Sequence, residues 1–308
     1  MFSFVLMRFA RALLTVWLVV TLVFFGIRVS GDPARMFMGD QATPEELADY
    51  REAMGLDDSQ FTQYRRYVSS LLRGDFGHGV SDHRPVTTII GSVLPATLEL
   101  MFISLAIVIG VGLLFGIFAA LRQDGLFDRG MRLFTVLGHS VPGFVVGIAL
   151  IFAFSVGLRW LPSSGKGGVD HLILPIATMA WGGLAGMSRI VRSSVIDALH
   201  QDHVRTARAK GLTEQNVITS HVLRNAAIPV ATLIGFMLSG VIAGSIIIET
   251  VFAWPGMGRL ISAAVTSRDY PVLQCSVFLI TGSVVTVNFL VDIAYGILDP
   301  RIRLRGQG

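Results

Sequence analysis

Apolar residues run in long blocks along this chain, separated by shorter stretches where charge, glycine and proline collect. Six blocks are long enough to cross a hydrocarbon core, which takes roughly 20 helical residues. They lie near 9–29, 97–121, 133–158, 172–191, 229–250 and 272–298. The pattern predicts an all-α membrane protein with six transmembrane helices. Arg8 and Arg11 precede the first block as they would in a signal peptide, but the block is long and no small-x-small cleavage site follows, so a retained first helix is expected. Glycines recur four residues apart within the spans, at Gly112 and Gly116, Gly143 and Gly147, Gly182 and Gly186, and Gly240 and Gly244. Small residues at this spacing let membrane helices approach closely.

The long segment 30–96 between the first two blocks is polar but patterned. Thr43-Pro44-Glu45-Glu46 supplies an N-cap, a first-turn proline and a capping-box glutamate, and Gly55 is a plausible stop. A second helix is expected over about 59–73, with Phe61, Tyr64, Val68 and Leu71 on one side and Gly74 after it. Such apolar faces either cap the ends of the membrane helices or help form a docking surface or gate. Of the 25 Lys and Arg residues, 14 fall near the span ends that are cytoplasmic if the N-terminus is inside, so both termini are expected inside and segment 30–96 outside. The resulting organisation is 1–29 (N-terminus and first helix), 30–96 (external helical insertion), 97–298 (five-helix core) and 299–308 (cytoplasmic tail).

Composition narrows the function. The chain is 52% hydrophobic and only 15% charged, against about 25% charged in a typical soluble domain. The formal charge of +4 is better read as basic residues flanking membrane spans than as a nucleic-acid surface. Cys275 is the single cysteine, so no intrachain disulfide forms, and its apolar setting points to packing. No phosphate-loop motif occurs, since Gly165-Lys166 lacks the upstream glycine, and no His-Glu-x-x-His or paired-cysteine pattern is present. The chain is therefore expected to be neither an ATPase nor another enzyme. Polar residues within spans remain candidates to line a path, namely His139, Asn288 and Asp292, with Glu99 and Glu249 nearer the span ends.

Residues 192–228 form the longest internal connection. Their first half is basic and helical in propensity, Gly211 breaks it, and Thr213 can cap a second short helix with Val217, Ile218, His221 and Val222 along one stripe, before Pro229 opens the next span. Read from composition alone, this is either a rigid knob that passes force to the attached spans or a solvated basic loop at an anionic membrane surface.

The string RTARAKGL at 205–212, followed by HVLRNAAIP at 221–229, resembles the coupling loop of binding-protein-dependent ABC permeases of the dipeptide, oligopeptide and nickel family. Ala207 stands four residues before Gly211, as in that loop. Arg205-Thr206 in place of Glu-Ala, and Arg224 in place of proline, resemble the peptide/nickel branch. LRGDFG at 72–77, RPV at 84–86, LPATLEL at 94–100, SVPGF at 140–144, WLPSSG at 160–165, FAWPGMGRL at 252–260, RDYPV at 268–272 and DPRIR at 299–303 extend the likeness in order along nearly the whole chain.

The resemblance implies a type I importer permease fold in a bacterial inner membrane. It also implies a second, related permease, two cytosolic ATPase subunits and a periplasmic solute-binding protein as partners. ATP and Mg would be bound by the ATPase subunits, leaving no cofactor in this chain. Arg205, Ala207, Gly211 and Leu212 match the core of the loop and would couple to the ATPase, with His221, Arg224 and Asn225 as further candidates. Di- or oligopeptides are the leading substrate. Nickel is the alternative within the family, although His139, His171 and Cys275 are scattered. A stand-alone secondary transporter or channel, or a membrane sensor using segment 30–96, are the readings from other classes.

Overall fold

A computed structural model describes residues 2–30, 33–38, 42–80 and 83–298. The tail 299–308, which holds Arg301, Arg303, Arg305 and the DPRIR string, lies outside the described residues. The helices in chain order are α1 (Phe2–Ser30), α2 (Pro33–Met38), α3 (Pro44–Met54), α4 (Gln60–Leu72), α5 (Val86–Leu121), α6 (Leu126–Ser140) and α7 (Gly143–Leu150), the last continued by a π-helical stretch over Ile151–Gly157. Then come α8 (Val169–Leu199), α9 (Asp202–Ala209), α10 (Glu214–Asn216) with a π-helical stretch over Val217–Val222, α11 (Leu223–Val251), α12 (Met257–Thr266) and α13 (Tyr270–Leu298). Among the described residues the β-type pairing is confined to an isolated bridge between His78 and Pro85.

Four stretches are long and apolar enough to cross a membrane: Val5–Arg28, Val86–Leu121, Glu214–Leu238 and Tyr270–Ile293. The pair α6 and α7 with its π-helical extension makes a fifth if taken as one span, bent by 105°. The block expected at 133–158 is thus not one straight helix. Val141 is extended (φ −99°, ψ 116°) because a residue before proline avoids the helical region, so α6 stops at Ser140 and α7 restarts at Gly143. The block expected at 172–191 lies in α8, which is long enough but does not reach the same apolar standard, so length and composition do not confirm the count of six. Eleven of the 31 residues of α8 are buried, and a helix sheathed by protein needs less apolar surface than one facing lipid.

The chain packs as two units, residues 1–95 with 256–308, and residues 96–255. In the first unit α1 lies along α13, joined by an Arg8–Asp292 ion pair at 2.7 Å and an edge-on contact of Phe9 with Phe289. Helix α3 starts and stops where its signals place it. Thr43 and Glu46 form the reciprocal capping box, and Gly55 closes the helix at φ +59°. Helix α4 docks on α1: Tyr64 Oη and Thr21 Oγ1 lie 2.7 Å apart, Arg28 donates to Gln63 Oε1 at 2.5 Å, and Phe24 meets both Tyr64 and Tyr67. The expected stripe is corrected at Phe61, which is 75% exposed. The docked face centres on Tyr64 and Tyr67, and at 3.6 residues per turn Phe61 points about 90° away from it. Cys275 is buried with Val86, Ile89, Ile90, Met257, Ala264 and Val272, the packing role expected of it.

In the second unit α8 packs against α6, α7 and α11. Two of the glycine pairs mark close approaches to it. A Cβ at Gly112 would stand 2.6 Å from Met187 Cγ, and one at Gly116 would stand 2.5 Å from Val191 Cβ. Gly147 likewise faces Thr178. Gly182 and Gly186 do not make such a contact, because Gly182 has its nearest neighbour at 3.7 Å and Gly186 faces open space. Contacts at Gly240 and Gly244 lie outside what is described.

Candidate coupling loop

The apolar core of the second unit does not end with its long helices. Val191, Val195 and Ala198 on α8 continue into Val204 and Ala207 on α9, Val217 and Val222 on the π-helical stretch, and Ala226 and Val230 on α11. Val204, Val217 and Val222 are fully buried and Ala207 is 4% exposed. The segment is therefore not a solvated basic loop. It is a folded element whose inner face belongs to the helix bundle.

The spacing of Ala207 and Gly211 has a geometric cause. Lys210 caps α9, and Gly211 follows at φ +78°, a left-handed conformation that L side chains rarely adopt. The Gly211 N–H donates to Arg208 O at 2.9 Å and the Leu212 N–H reaches back to Ala207 O at 3.4 Å. This is the paired backbone bonding of a Schellman turn. Ala207 thus accepts the outer bond of the turn while its methyl packs inward, and a larger side chain there has no space to enter.

The second half of the loop departs from the expected short, separate helix. Thr213 stands at the N-cap with extended backbone, but its side chain makes no capping bond. Helix α10 then runs through the π-helical stretch directly into α11, and Pro229 lies inside α11 rather than at its start. The loop is thus rigidly continuous with α11 on one side and, through Gln201, one short step from α8 on the other.

The outer face is polar and cationic. The Arg205 side chain is 78% exposed and 3.7 Å from Asp202. Arg208 pairs with Glu214 at 2.6 Å across the Gly211 turn, and that carboxylate raises the Arg208 guanidinium above its ordinary value. Leu212 and Arg224 are exposed. Asn225 Nδ2 lies 2.7 Å from His203 Nε2 and donates to His221 O at 3.0 Å, so His221 and Asn225 meet around α9 while Arg224 points elsewhere.

Sequence reasoning missed Asp128. It is fully buried at the start of α6, where the Arg192 guanidinium grips it with Nε on Oδ1 and with Nη2 on Oδ2 at 2.9 Å. The Asp124 N–H donates to Oδ2 at 3.0 Å, and Arg132 stands 3.7 Å away. The cluster ties α6 to α8 two turns before the end of α8. Its one sequence signal, Asp128 and Arg132 four apart, looks like an ordinary surface pair.

The three path candidates are not assembled. His139 is exposed at the end of α6 with Nδ1 against Thr135 O, Asn288 is exposed on α13, and Asp292 is engaged by Arg8. Glu99 pairs with Lys166 at 2.6 Å. Glu249 is fully buried and accepts from Thr97 Oγ1 at 2.8 Å, beside the Trp254 Nε1 bond to Ala96 O. His171 turns its Nδ1 to Gly165 O. Among the described residues no group of three or more His, Cys, Asp or Glu is placed to hold a metal ion.

Residues 112–304 match the family described as binding-protein-dependent transport system inner membrane component, and residues 1–101 match its N-terminal companion. The chain is 37% identical to a probable peptide ABC transporter permease protein of Sinorhizobium fredii, over 97% of this chain and 99% of that one. It is 40% identical to a glutathione transport system permease protein of Salmonella typhimurium and 38% identical to that of Escherichia coli K12, in each case over 99% of this chain and the whole of the relative. Among solved structures, one titled as an amino acid ABC transporter with histidines aligns with a TM-score of 0.51 at 17% identity, over 67% of this chain and 92% of that one. That likeness shows a shared fold.

Proposed function

The chain belongs to the binding-protein-dependent transport system inner membrane component family, and from that premise we propose that it is the membrane-spanning subunit of an ATP-driven importer of short peptides, glutathione among them. The observation that carries the reading is the Schellman turn at Gly211 fused to the core of α8 and α11. An element with a cationic outer face and an apolar inner face transmits displacement rather than absorbing it. In this reading a cytosolic ATPase subunit receives Arg205, Leu212 and the end of α9. Closure of the ATPase dimer then pushes α9 and, through Val204 and Ala207, tilts α8 and α11 between inward-open and outward-open states.

ATP and Mg are bound and ATP is hydrolysed in those partner subunits, and this chain contributes no cofactor site. A second related permease completes the pathway, and a periplasmic binding protein delivers the substrate. The chain crosses the inner membrane six times, with α6 and α7 as one bent span and α8 as the protein-sheathed one, both termini in the cytoplasm and segment 30–96 outside. Names of the relatives favour peptides and glutathione over nickel.

Reconstituting the complex with its binding protein, and measuring substrate-stimulated ATP hydrolysis with a dipeptide and with glutathione, tests the reading. Ala207→Phe and Gly211→Val should abolish stimulation. Because both also strain the fold, Arg205→Glu is the decisive variant: its exposed side chain bears no core, and reversal of its charge should weaken ATPase binding about tenfold or more. Unchanged assembly and stimulation in Arg205→Glu and Gly211→Val would overturn the assignment.

A further inference from the structure

A cavity of about 270 Å³ opens in the first unit where the end of α1 meets α3, α4 and the turn before α13. Three arginines line it, Arg28, Arg66 and Arg268, and among its described lining residues there is no carboxylate. Each is held differently. Arg28 is fixed by Gln63 Oε1 and by the Phe24 ring, 3.5 Å beneath its guanidinium carbon. Arg66 pairs with Asp58 at 2.7 Å and lies against Gly55, where any Cβ would collide with it. Arg268 sits at φ +56° in the tight turn, and among the described residues its side chain has no hydrogen-bond or ion-pair partner. Buried Asp269 holds that turn, its Oδ2 accepting from the Val80 N–H at 2.9 Å and its Oδ1 from the Val272 N–H at 3.3 Å.

A second observation is independent of the arginines. Tyr67 Oη is buried without a hydrogen-bond partner, although Tyr67 lines both this cavity and a neighbouring one of about 260 Å³. Burial pushes its phenol up to about 12, so it remains a neutral donor. A buried hydroxyl without a partner, on a tyrosine that lines the cavity together with three arginines, is a group short of its acceptor. Planar guanidinium forks match the oxygens of a phosphate, and a phenol donates to the same group. Location selects the source. Leu18, Leu22 and Phe25, exposed on the same helix end as Arg28, are lipid-facing in character, which puts the cavity at headgroup depth, where aromatic and basic residues collect.

We propose that this cavity binds the phosphate of an anionic phospholipid headgroup, with Arg28, Arg66 and Arg268 as its cationic wall and the Tyr67 hydroxyl as a neutral donor. The site depends on α1 crossing the membrane and is separate from the coupling loop. The full chain, purified in detergent with its co-expressed subunits, is titrated with short-chain phosphatidylglycerol, phosphatidylcholine and inorganic phosphate and followed by native mass spectrometry. Phosphatidylglycerol should bind at least tenfold more tightly than phosphatidylcholine. Arg268→Gln, which disturbs no described contact, should lower its affinity about tenfold, Tyr67→Phe about threefold, and Arg268→Lys should retain most of it. Equal binding of the two lipids, or wild-type affinity in both Arg268→Gln and Tyr67→Phe, overturns the site. Binding of inorganic phosphate as tight as that of phosphatidylglycerol overturns the membrane source. Binding of neither lipid overturns the site as well.

Discussion

Helices α9 and α4 look alike in sequence and are built differently. Each is short, amphipathic and basic, and each is followed by a glycine at positive φ, Gly211 and Gly74. Helix α9 presents valine and alanine inward, and these vanish into a core shared with α8 and α11. Helix α4 has no buried residue. It is attached by long side chains through the Thr21–Tyr64 and Arg28–Gln63 bonds and the Phe24 ring cluster. Small apolar residues let backbones close up, and close-packed interiors transmit displacement. Tyrosine, glutamine and arginine make a joint whose strength lies in a few directional bonds. An amphipathic pattern therefore shows that a helix docks. The size and polarity of the inward residues decide whether the joint is stiff.

The largest expected contrast comes from placing a charge on each inward face. Val204→Asp buries an unpaired carboxylate where no water reaches and should cost about 3–5 kcal/mol, seen as loss of folded protein in detergent thermal unfolding. Val68→Asp on half-buried α4 should cost under about 1 kcal/mol by the same assay. Equal losses would break the comparison.

Next in size is the buried ion cluster beside the stiff joint. Asp128→Asn removes the charge that Arg192 grips and should cost about 2–3 kcal/mol. Combining it with Arg192→Gln should cost clearly less than the sum of the two single changes, because each already breaks the same contact. Additivity would show that the pair does not tie α6 to α8. On the adaptable side, Tyr64→Phe removes one hydrogen bond and should cost about 1 kcal/mol, read as faster proteolysis within 42–73 while the rest of the chain stays resistant.

Much of this was legible in the sequence, and the exceptions share a cause. The caps of α3 were readable because Thr43, Glu46 and Gly55 act within one turn of their own position. The turn at Gly211 was readable for the same reason. The bend at Val141–Pro142 was missed because hydropathy averages over a break that two residues create. Phe61 departs from the expected stripe because the docked face of α4 is chosen by what α1 offers, Thr21, Phe24 and Arg28, rather than by the strongest apolar stripe. Asp128 was invisible because its partner, Arg192, is 64 residues away. Helix α8 sits on the margin: its apolar block is legible in the sequence, but 11 of its 31 residues are buried against protein and it does not stand out by hydropathy as α1, α5 and α13 do.

The smallest predicted effect tests whether α3 is held by local bonds alone. The Glu46 carboxylate accepts from the Thr43 N–H at 2.8 Å and from Thr43 Oγ1 at 2.9 Å. These bonds, the backbone one foremost, hold its carboxyl below the usual glutamate range. A group whose folded value is lowered stabilises the fold fully above its unfolded value, about 4.3. That contribution fades as pH falls through the lower, folded value. Acidification below about pH 5 should therefore lower the protection of the first-turn amides of α3, measured as hydrogen exchange relative to the intrinsic rate at each pH, and Glu46→Gln should flatten that dependence with slightly lower protection at neutral pH. The amides of α9 should stay protected over the same range, because Val204 and Ala207 do not titrate. If acid loosens α9 as much as α3, then polar bonds rather than the apolar core hold the loop, and the distinction between a stiff joint and an adaptable one fails.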